Sequence, residues 1–272
     1  MSLTPLANGF CFGEGPRWFE GLVWFSDMLG EAVHTVTLGG EQSTLPLPGH
    51  APSGLGFRPD GTLLIVSATR RQILGYDGET VTVVADLSAL VPADLGDMAI
   101  DRHGCAYVGS QARNGGVLVR IDPDAPADER ATVVADVLEF PNGIALTEDG
   151  TTLIVAESTG RRLTAFTVAE DGTLRERRVF AEGLEGPPDG ICLDAEGGVW
   201  VALTLAHEFA RIEPLGTNGY IVTERITLGD RAAIACALGG PDGQTLFLLS
   251  SVSAYPETLR GTSDSRLDAI TV

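Results

Sequence analysis

A short phrase recurs along this chain at nearly constant spacing. From Ser53 to Gly96 is 43 residues, from Gly96 to Asn142 is 46, and from Asn142 to Asp189 is 47. Each copy leads within a few residues into a Gly-containing turn and an apolar run. A period in the forties, built from short strands and turns, is typical of one four-stranded propeller blade per repeat. The clear copies are Pro52-Ser53-Gly54-Leu55, Leu95-Gly96-Asp97-Met98, Pro141-Asn142-Gly143-Ile144 and Pro188-Asp189-Gly190-Ile191.

Weaker copies at both ends bring the series to six. They are Gly13-Glu14-Gly15-Pro16 and Ala233-Ile234-Ala235-Cys236. Because blades bury their faces only against neighbours, we expect a single all-β domain over residues 1–272. Its predicted architecture is a six-bladed β-propeller with four-stranded antiparallel blades around a central channel. Residues 3–10 are expected to pair with residues 266–272 in one blade, because that pairing protects the seam of the ring.

Local patterns agree with an all-β chain. Residues 81–85 and 132–135 are short, rich in β-branched side chains and bounded by Gly, Asp or Pro. The pairs Asp77-Gly78 and Asp171-Gly172 predict tight hairpins. No stretch keeps a 3.6-residue apolar period for three turns without Gly or Pro, so helix should be scarce.

Composition excludes several classes of function. The chain has 37 acidic and 18 basic residues and a net charge of −19, which disfavours nucleic-acid and membrane partners. All the basic residues are Arg, so Schiff-base chemistry and a Walker-type phosphate loop are excluded. No signal peptide or membrane span is evident, and we expect a cytoplasmic protein. The four cysteines lie far apart in sequence, and those in predicted strands should pack as small apolar groups.

Propeller geometry brings one position of each repeat together near the axis. Those positions are Glu14, Ser53, Gly96 with the adjacent Asp97, Asn142 and Asp189. Carboxylates gathered in this way repel one another unless a cation lies among them, and oxygen donors suit Ca²⁺, Mg²⁺ or Mn²⁺, with Zn²⁺ also possible. One divalent metal ion is therefore the expected cofactor. The alternative is that these residues only form local turns, since Asp-Gly and Asn-Gly are common turn dipeptides that would recur in a repeat protein.

Several motifs together resemble the senescence marker protein, regucalcin and gluconolactonase family of six-bladed propellers. The resemblance covers nearly the whole chain, and it implies that Glu14, Asn142 and Asp189 hold a divalent metal at the top of the channel. One departure is Gly96-Asp97, where relatives commonly have Asn-Asp. The motifs are Gly13-Glu14-Gly15-Pro16-Arg17-Trp18, Pro52-Ser53-Gly54-Leu55-Gly56, Pro141-Asn142-Gly143-Ile144-Ala145, Val155-Ala156-Glu157-Ser158, the segment from Pro188 to Gly197, and Leu238-Gly239-Gly240-Pro241-Asp242.

The resemblance implies hydrolysis of a small lactone or related ester. In this hypothesis the metal polarises the ring carbonyl and orients a water, and Asp189 is the general base. Asp97 is a second acid–base candidate or ligand. Two alternatives stay open: a metal-dependent phosphotriesterase, and a binding scaffold without chemistry. Candidate substrate-binding residues at the channel are Ser53, Arg70, Gln111, Glu157 and His207. The last four follow innermost strands, and the alternative for each is a surface or packing role.

Overall fold

The computed structural model describes residues 3–216 and 219–272. Within them, the strands form six four-stranded antiparallel sheets. The first strands in chain order are β1 (Thr4–Phe10), β2 (Gly13–Phe19), β3 (Leu22–Asp27), β4 (Ala32–Val36), β5 (Gln42–Pro46), β6 (Pro52–Phe57), β7 (Leu63–Ser67), β8 (Gln72–Tyr76) and β9 (Val81–Asp86). The next are β10 (Leu95–Ile100), β11 (Ala106–Ser110), β12 (Gly116–Ile121), β13 (Ala131–Leu138), β14 (Pro141–Leu146), β15 (Thr152–Glu157), β16 (Arg162–Val168) and β17 (Leu174–Glu182). The last are β18 (Pro188–Leu193), β19 (Val199–Leu203), β20 (Glu208–Leu215), β21 (Gly219–Thr227), β22 (Ala232–Gly239), β23 (Thr245–Ser251) and β24 (Ser265–Thr271).

The sheets follow one another as blades of a ring. Blade 1 is β2 to β5, and each later blade takes the next strands in order until β22, β23, β24 and β1 form blade 6. The first strands of neighbouring blades lie side by side, and β2 contacts both β6 and β22, so the ring is closed. The predicted six-bladed propeller is confirmed. The predicted seam is confirmed too, because β1 pairs antiparallel with β24, with Thr4 opposite Ala269.

The smaller structural predictions are confirmed as well. Asp77-Gly78 joins β8 to β9, and Asp171-Gly172 joins β16 to β17. Within residues 3–216 and 219–272, the helical elements are two single turns of 3₁₀ helix, Thr204–Ala206 and Pro256–Thr258. No helix in this part of the chain is long and apolar enough to cross a membrane.

The glycine of the repeated phrase is needed for close packing of neighbouring blades. A Cβ on Gly54 would stand 2.7 Å from the Cα of Asp97, and one on Gly143 would stand 2.4 Å from the carbonyl oxygen of Asp189. Both phrases lie inside strands, not in turns. The alternative that they are turn formers is therefore wrong, and their glycines let first strands approach around the axis.

The core lies between the blades and is filled by large side chains. Trp200, Tyr107, Phe25, Phe209 and Phe247 are fully buried. Burying such a side chain contributes about 1.5 to 3 kcal/mol to stability. Because each blade lends one face to each neighbour, these contacts fix how the first strands meet at the axis.

The cysteines show one proximity that the sequence did not predict. All four are free, and Cys105 and Cys236 are buried as small apolar groups. The Sγ atoms of Cys192 and Cys236, on the first strands of blades 5 and 6, lie 3.6 Å apart. The two cysteines are 44 positions apart in sequence. That separation is about one blade period, so they meet only when neighbouring blades pack together.

Candidate functional site

A β-bulge places the second residue of each repeated phrase. The pairing register of the first strand shifts between Glu14 and Arg17 in blade 1. It shifts in the same way between Pro141 and Ile144 in blade 4 and between Pro188 and Ile191 in blade 5. A bulge re-aims a side chain that a regular strand would direct elsewhere. A further register shift, between Leu95 and Met98 in blade 3, includes Asp97, the third residue of its phrase. The axial cluster is defined here as Glu14, Asp97, Asn142 and Asp189.

Asn142 connects the cluster through its side-chain amide. Its Nδ2 donates a hydrogen bond of 2.5 Å to Oδ1 of Asp189. Its Oδ1 accepts a hydrogen bond of 3.1 Å from Nε2 of Gln111. The hydroxyl of Ser158 lies 3.4 Å from the same Nδ2 and donates to the carbonyl oxygen of Pro188 over 2.6 Å. The amide is thus held between blades 3 and 5, facing a carboxylate.

The carboxylates of the cluster are close enough to perturb one another. Burial raises the pKa of Asp189, and the charge of Asp97 raises it further, against the hydrogen bond from Asn142. Burial also raises the pKa of Glu14 well above its usual range, and Asp189 and Asp97 add to that increase. Ionising such groups together is unfavourable unless a proton or a cation compensates them. The structure therefore brings together Glu14, Asp97, Asn142 and Asp189, as the repeat predicts.

Asp97 is already occupied by protein partners. Nη2 of Arg17 donates to its Oδ1 over 2.8 Å, and Oδ2 accepts from the backbone N–H of Ile144 over 3.3 Å. Arg17 is itself fixed by a 2.6 Å hydrogen bond to the carbonyl oxygen of Met98. Each carboxylate oxygen of Asp97 accepts one hydrogen bond and keeps a second lone pair, so its role as a second acid–base group or ligand stays a prediction. What it supplies is a fixed negative charge beside Asp189.

The cluster has a donor set that fits a hard divalent cation. In residues 3–216 and 219–272, no three His, Cys, Asp or Glu side chains are gathered so as to hold a metal ion by themselves. With Asp97 held by Arg17, the remaining donors are the carboxylates of Glu14 and Asp189 and the amide oxygen of Asn142. Carboxylate and amide oxygens are the ligands that Ca²⁺, Mg²⁺ and Mn²⁺ prefer. A cation also supplies the positive charge that the buried carboxylates lack.

Three of the predicted substrate-binding residues, Glu157, Arg70 and His207, have polar contacts with other parts of the protein. Glu157 is fully buried, with its carboxylate accepting from Arg162, Thr164 and the backbone N–H of Glu139, so its role is structural and that prediction is wrong. Nε of Arg70 donates to the carbonyl oxygen of Gly49 over 2.8 Å.

His207 and Ser53 have different surroundings. Nδ1 of His207 lies 3.1 Å from the carbonyl oxygen of Arg231. Ser53 is buried in the first strand of blade 2, beside Gly15 of blade 1. Of the five substrate-binding candidates, only Gln111 hydrogen-bonds a member of the axial cluster.

A cavity of about 550 Å³ opens beside Asn142 and Asp189. Its walls include Ser158 and Thr204, and they also contain residues that sequence reasoning missed. The missed residues lie in loops between strands, where no repeated motif marks them. They include Arg113, Phe140, Arg161, Leu205 and Tyr255.

Comparison with known proteins gives consistent matches over most of the chain. A family model described as "SMP-30/Gluconolactonase/LRE-like region" matches residues 12–252. The chain is 29% identical over 250 residues to 6-deoxy-6-sulfogluconolactonase of Pseudomonas putida, covering 88% of this chain and 83% of that protein. It is 25% identical over 262 residues to pentonolactonase XacC of Haloferax volcanii, covering 92% and 86%. A calcium-binding protein, regucalcin, from Agrobacterium tumefaciens superposes with a TM-score of 0.81 at 22% identity, covering 99% and 94%, which shows the shared fold.

Proposed function

The chain belongs to the SMP-30/gluconolactonase/LRE-like family, as its motifs indicated, and we propose that it hydrolyses a sugar lactone or related cyclic ester in the cavity beside the axial cluster. Two of the relatives named above are lactonases by name. The observation that carries the proposal is the Asn142–Asp189 pair, in which a buried carboxylate is held at 2.5 Å by an amide at the wall of a cavity. A cavity of about 550 Å³ suits a small cyclic substrate.

Asp189 is the proposed general base. Its Oδ1 is fixed by Asn142, which leaves Oδ2 to take a proton from the attacking water. The water oxygen bonds to the lactone carbonyl carbon, the ring C–O bond breaks, and the leaving alkoxide oxygen receives a proton. A base poised near neutral pH is best suited to this exchange, and burial together with Asp97 moves the pKa of Asp189 in that direction.

Glu14, Asn142 and Asp189 are the proposed ligands of one divalent ion, Ca²⁺, Mg²⁺, Mn²⁺ or Zn²⁺. When bound, such an ion polarises the substrate carbonyl and lowers the pKa of a water molecule. A nearby cation also lowers the proton affinity of Asp189. The fixed charge of Asp97, held by Arg17, opposes that effect and keeps Asp189 basic enough to accept a proton.

The function is tested by restoring metals to stripped protein. Purified protein is treated with a chelator and assayed on a panel of aldonolactones with Ca²⁺, Mg²⁺, Mn²⁺ or Zn²⁺ added singly. We expect negligible turnover without metal and restored turnover with at least one ion. Equal activity in the stripped and restored protein would remove the metal from the proposal. Hydrolysis of a phosphotriester but of no lactone would show that the protein is a phosphotriesterase and not a lactonase.

A further inference from the structure

Two arginines lie in the wall of the cavity that contains Asn142 and Asp189. Arg113 is in the connection between β11 and β12, and Arg161 is in the turn between β15 and β16. The two loops are tied together, because Oγ1 of Thr159 donates to the carbonyl oxygen of Arg113 over 3.2 Å. Blades 3 and 4 therefore each contribute one arginine to the wall of the same cavity.

Among the described residues, neither arginine has a carboxylate partner, in contrast to the arginines that form ion-pair networks elsewhere in the chain. Arg211, Arg225 and Arg162 are each ion-paired with two or more acidic residues. In the part of the chain that the structure describes, neither Arg113 nor Arg161 forms an ion pair. Nε of Arg161 donates to the carbonyl oxygen of Leu184 over 2.8 Å, which anchors that side chain and leaves its terminal nitrogens unused.

The cavity wall differs in charge from the chain as a whole, whose net charge is −19. Acidic side chains are abundant enough to pair every arginine, yet this wall has two guanidinium groups against one exposed carboxylate, that of Glu257. Asp189, the other acidic residue of the cavity, belongs to the axial cluster. The rim away from the cluster thus carries a net positive charge on an acidic protein.

We propose that this cavity selects a lactone that carries an anionic group, such as a carboxylate, sulfonate or phosphate, and that Arg113 and Arg161 bind that group while the lactone ring faces Asn142 and Asp189. The inference rests on the proposed lactonase function and specifies its substrate class. Guanidinium groups suit this task because their planar N–H donors match the oxygens of carboxylate, sulfonate and phosphate groups. The two arginines also offset the repulsion between an anionic substrate and an acidic protein surface.

The first test compares a charged and a neutral substrate in matched variants. We compare kcat/KM for 6-phospho-D-glucono-1,5-lactone and D-glucono-1,5-lactone in the wild type, Arg113→Gln, Arg161→Gln and the double variant. The wild type should prefer the charged lactone, and the double variant should lose at least about tenfold of that preference. The preference should weaken with added salt, since both arginines are exposed. Arg175→Gln, an exposed change on the outer strand β17, is the matched control and should keep the wild-type ratio.

A binding measurement separates this inference from the lactonase proposal. D-Sorbitol 6-phosphate and D-sorbitol cannot be hydrolysed as lactones, and their affinities are measured by calorimetry. Tighter binding of the phosphate compound, lost in the double variant, supports the anion site even if no lactone is turned over. Equal affinities, together with a charged-to-neutral kcat/KM ratio near one that the double variant does not change, would overturn the inference while leaving lactone hydrolysis intact.

Discussion

Nε2 of Gln111 lies 3.1 Å from Oδ1 of Asn142 and 2.5 Å from the place that a Cβ on Gly96 would occupy. The amide of Gln111 therefore fills space that a side chain at position 96 would need. Gln111 directly follows β11, so an amide lies beside Gly96 although the strand that contains Gly96 supplies none there. Because an amide offers both a donor and an acceptor, Gln111 can pair with Asn142 in either orientation of the Asn142 side chain.

Gln111→Ala should weaken metal binding without unfolding the protein. The variant leaves Asn142 free to rotate, and partners behind a metal ligand typically contribute about 10- to 100-fold in affinity. The measurement is a competition titration with a chelating dye, and the control is Gln72→Ala, which removes a half-buried glutamine of blade 2. Unchanged metal affinity would show that Gln111 does not position Asn142.

The Gly96 and Gln111 substitutions should be coupled. Gly96→Asn alone should destabilise the protein, since its Cβ meets the Gln111 amide at 2.5 Å. In the double variant Gly96→Asn/Gln111→Gly, the clash is removed and an amide returns to the strand, so part of the lost stability should be recovered. Urea unfolding of the two single variants and the double variant measures this coupling, and strictly additive effects would contradict it.

Asp189→Asn should abolish most turnover while preserving the fold. Loss of a general base costs about 10²- to 10⁴-fold in rate. The change also removes a buried charge that repels Glu14 and Asp97, so the melting temperature should not fall. Activity is measured on the best lactone of the panel, with circular dichroism as the check on folding. Retention of wild-type kcat would exclude Asp189 as the base.

The metal-free protein should lose stability as pH rises above the usual carboxylate range. Burial, with mutual repulsion, raises the folded-state pKa of Glu14 and Asp189 above their unfolded values. The folded state then holds protons that the unfolded state has released, so this contribution to stability is complete at low pH and is lost as pH rises through the raised pKa values.

Thermal unfolding of the metal-free protein, measured as pH rises above the usual carboxylate range, checks the sign of this pH dependence. The slope of melting temperature against pH should be shallower in Asp189→Asn than in the wild type. A saturating divalent ion should raise the melting temperature more at pH 8 than at pH 5. At pH 8 the ion relieves the repulsion between ionised carboxylates, whereas at pH 5 it must displace protons from them. A stabilisation that is larger at pH 5 would contradict the proposed compensation of charge.

Arg17→Gln should destabilise the protein by about 2 to 3 kcal/mol. It leaves the buried Asp97 without its cationic partner, and the exposure of Arg17 reduces the effect below that of a fully buried pair. The double variant Arg17→Gln/Asp97→Asn should recover part of this loss, as measured by urea unfolding. A double variant no more stable than Arg17→Gln would show that the pair does not act as a unit.

The sequence predicted the fold because the repeat itself carries the architecture. Glu14, Asn142 and Asp189 were found because they occupy equivalent positions in different blades, and the blade symmetry converts equal spacing into proximity. Glu157 was misplaced because its partners, Arg162 and Thr164 on the next strand, are ordinary surface-type residues in sequence. What buries Glu157 is the pairing of β15 with β16, which brings those partners to its carboxylate.

Loop residues were beyond the reach of the same reasoning. Arg113 and Arg161 follow no repeat, and their position at one cavity depends on how the loops of blades 3 and 4 fold over the axis. The β-bulges were also hidden, since a bulge is a change of register that appears only when both strands are paired. The spacing of the repeat therefore predicted the residues of the axial cluster. The residues around the cluster depend on how the loops and strands pack, which the repeat does not encode.

The central claim is that Glu14, Asn142 and Asp189 gather around one cation on the propeller axis. A crystal structure of the Mn²⁺-loaded protein, with anomalous scattering measured at the manganese edge, tests it most directly. We predict one anomalous peak bonded to carboxylate oxygens of Glu14 and Asp189 and to Oδ1 of Asn142. An anomalous map without a peak among these three side chains, at saturating Mn²⁺, would contradict it.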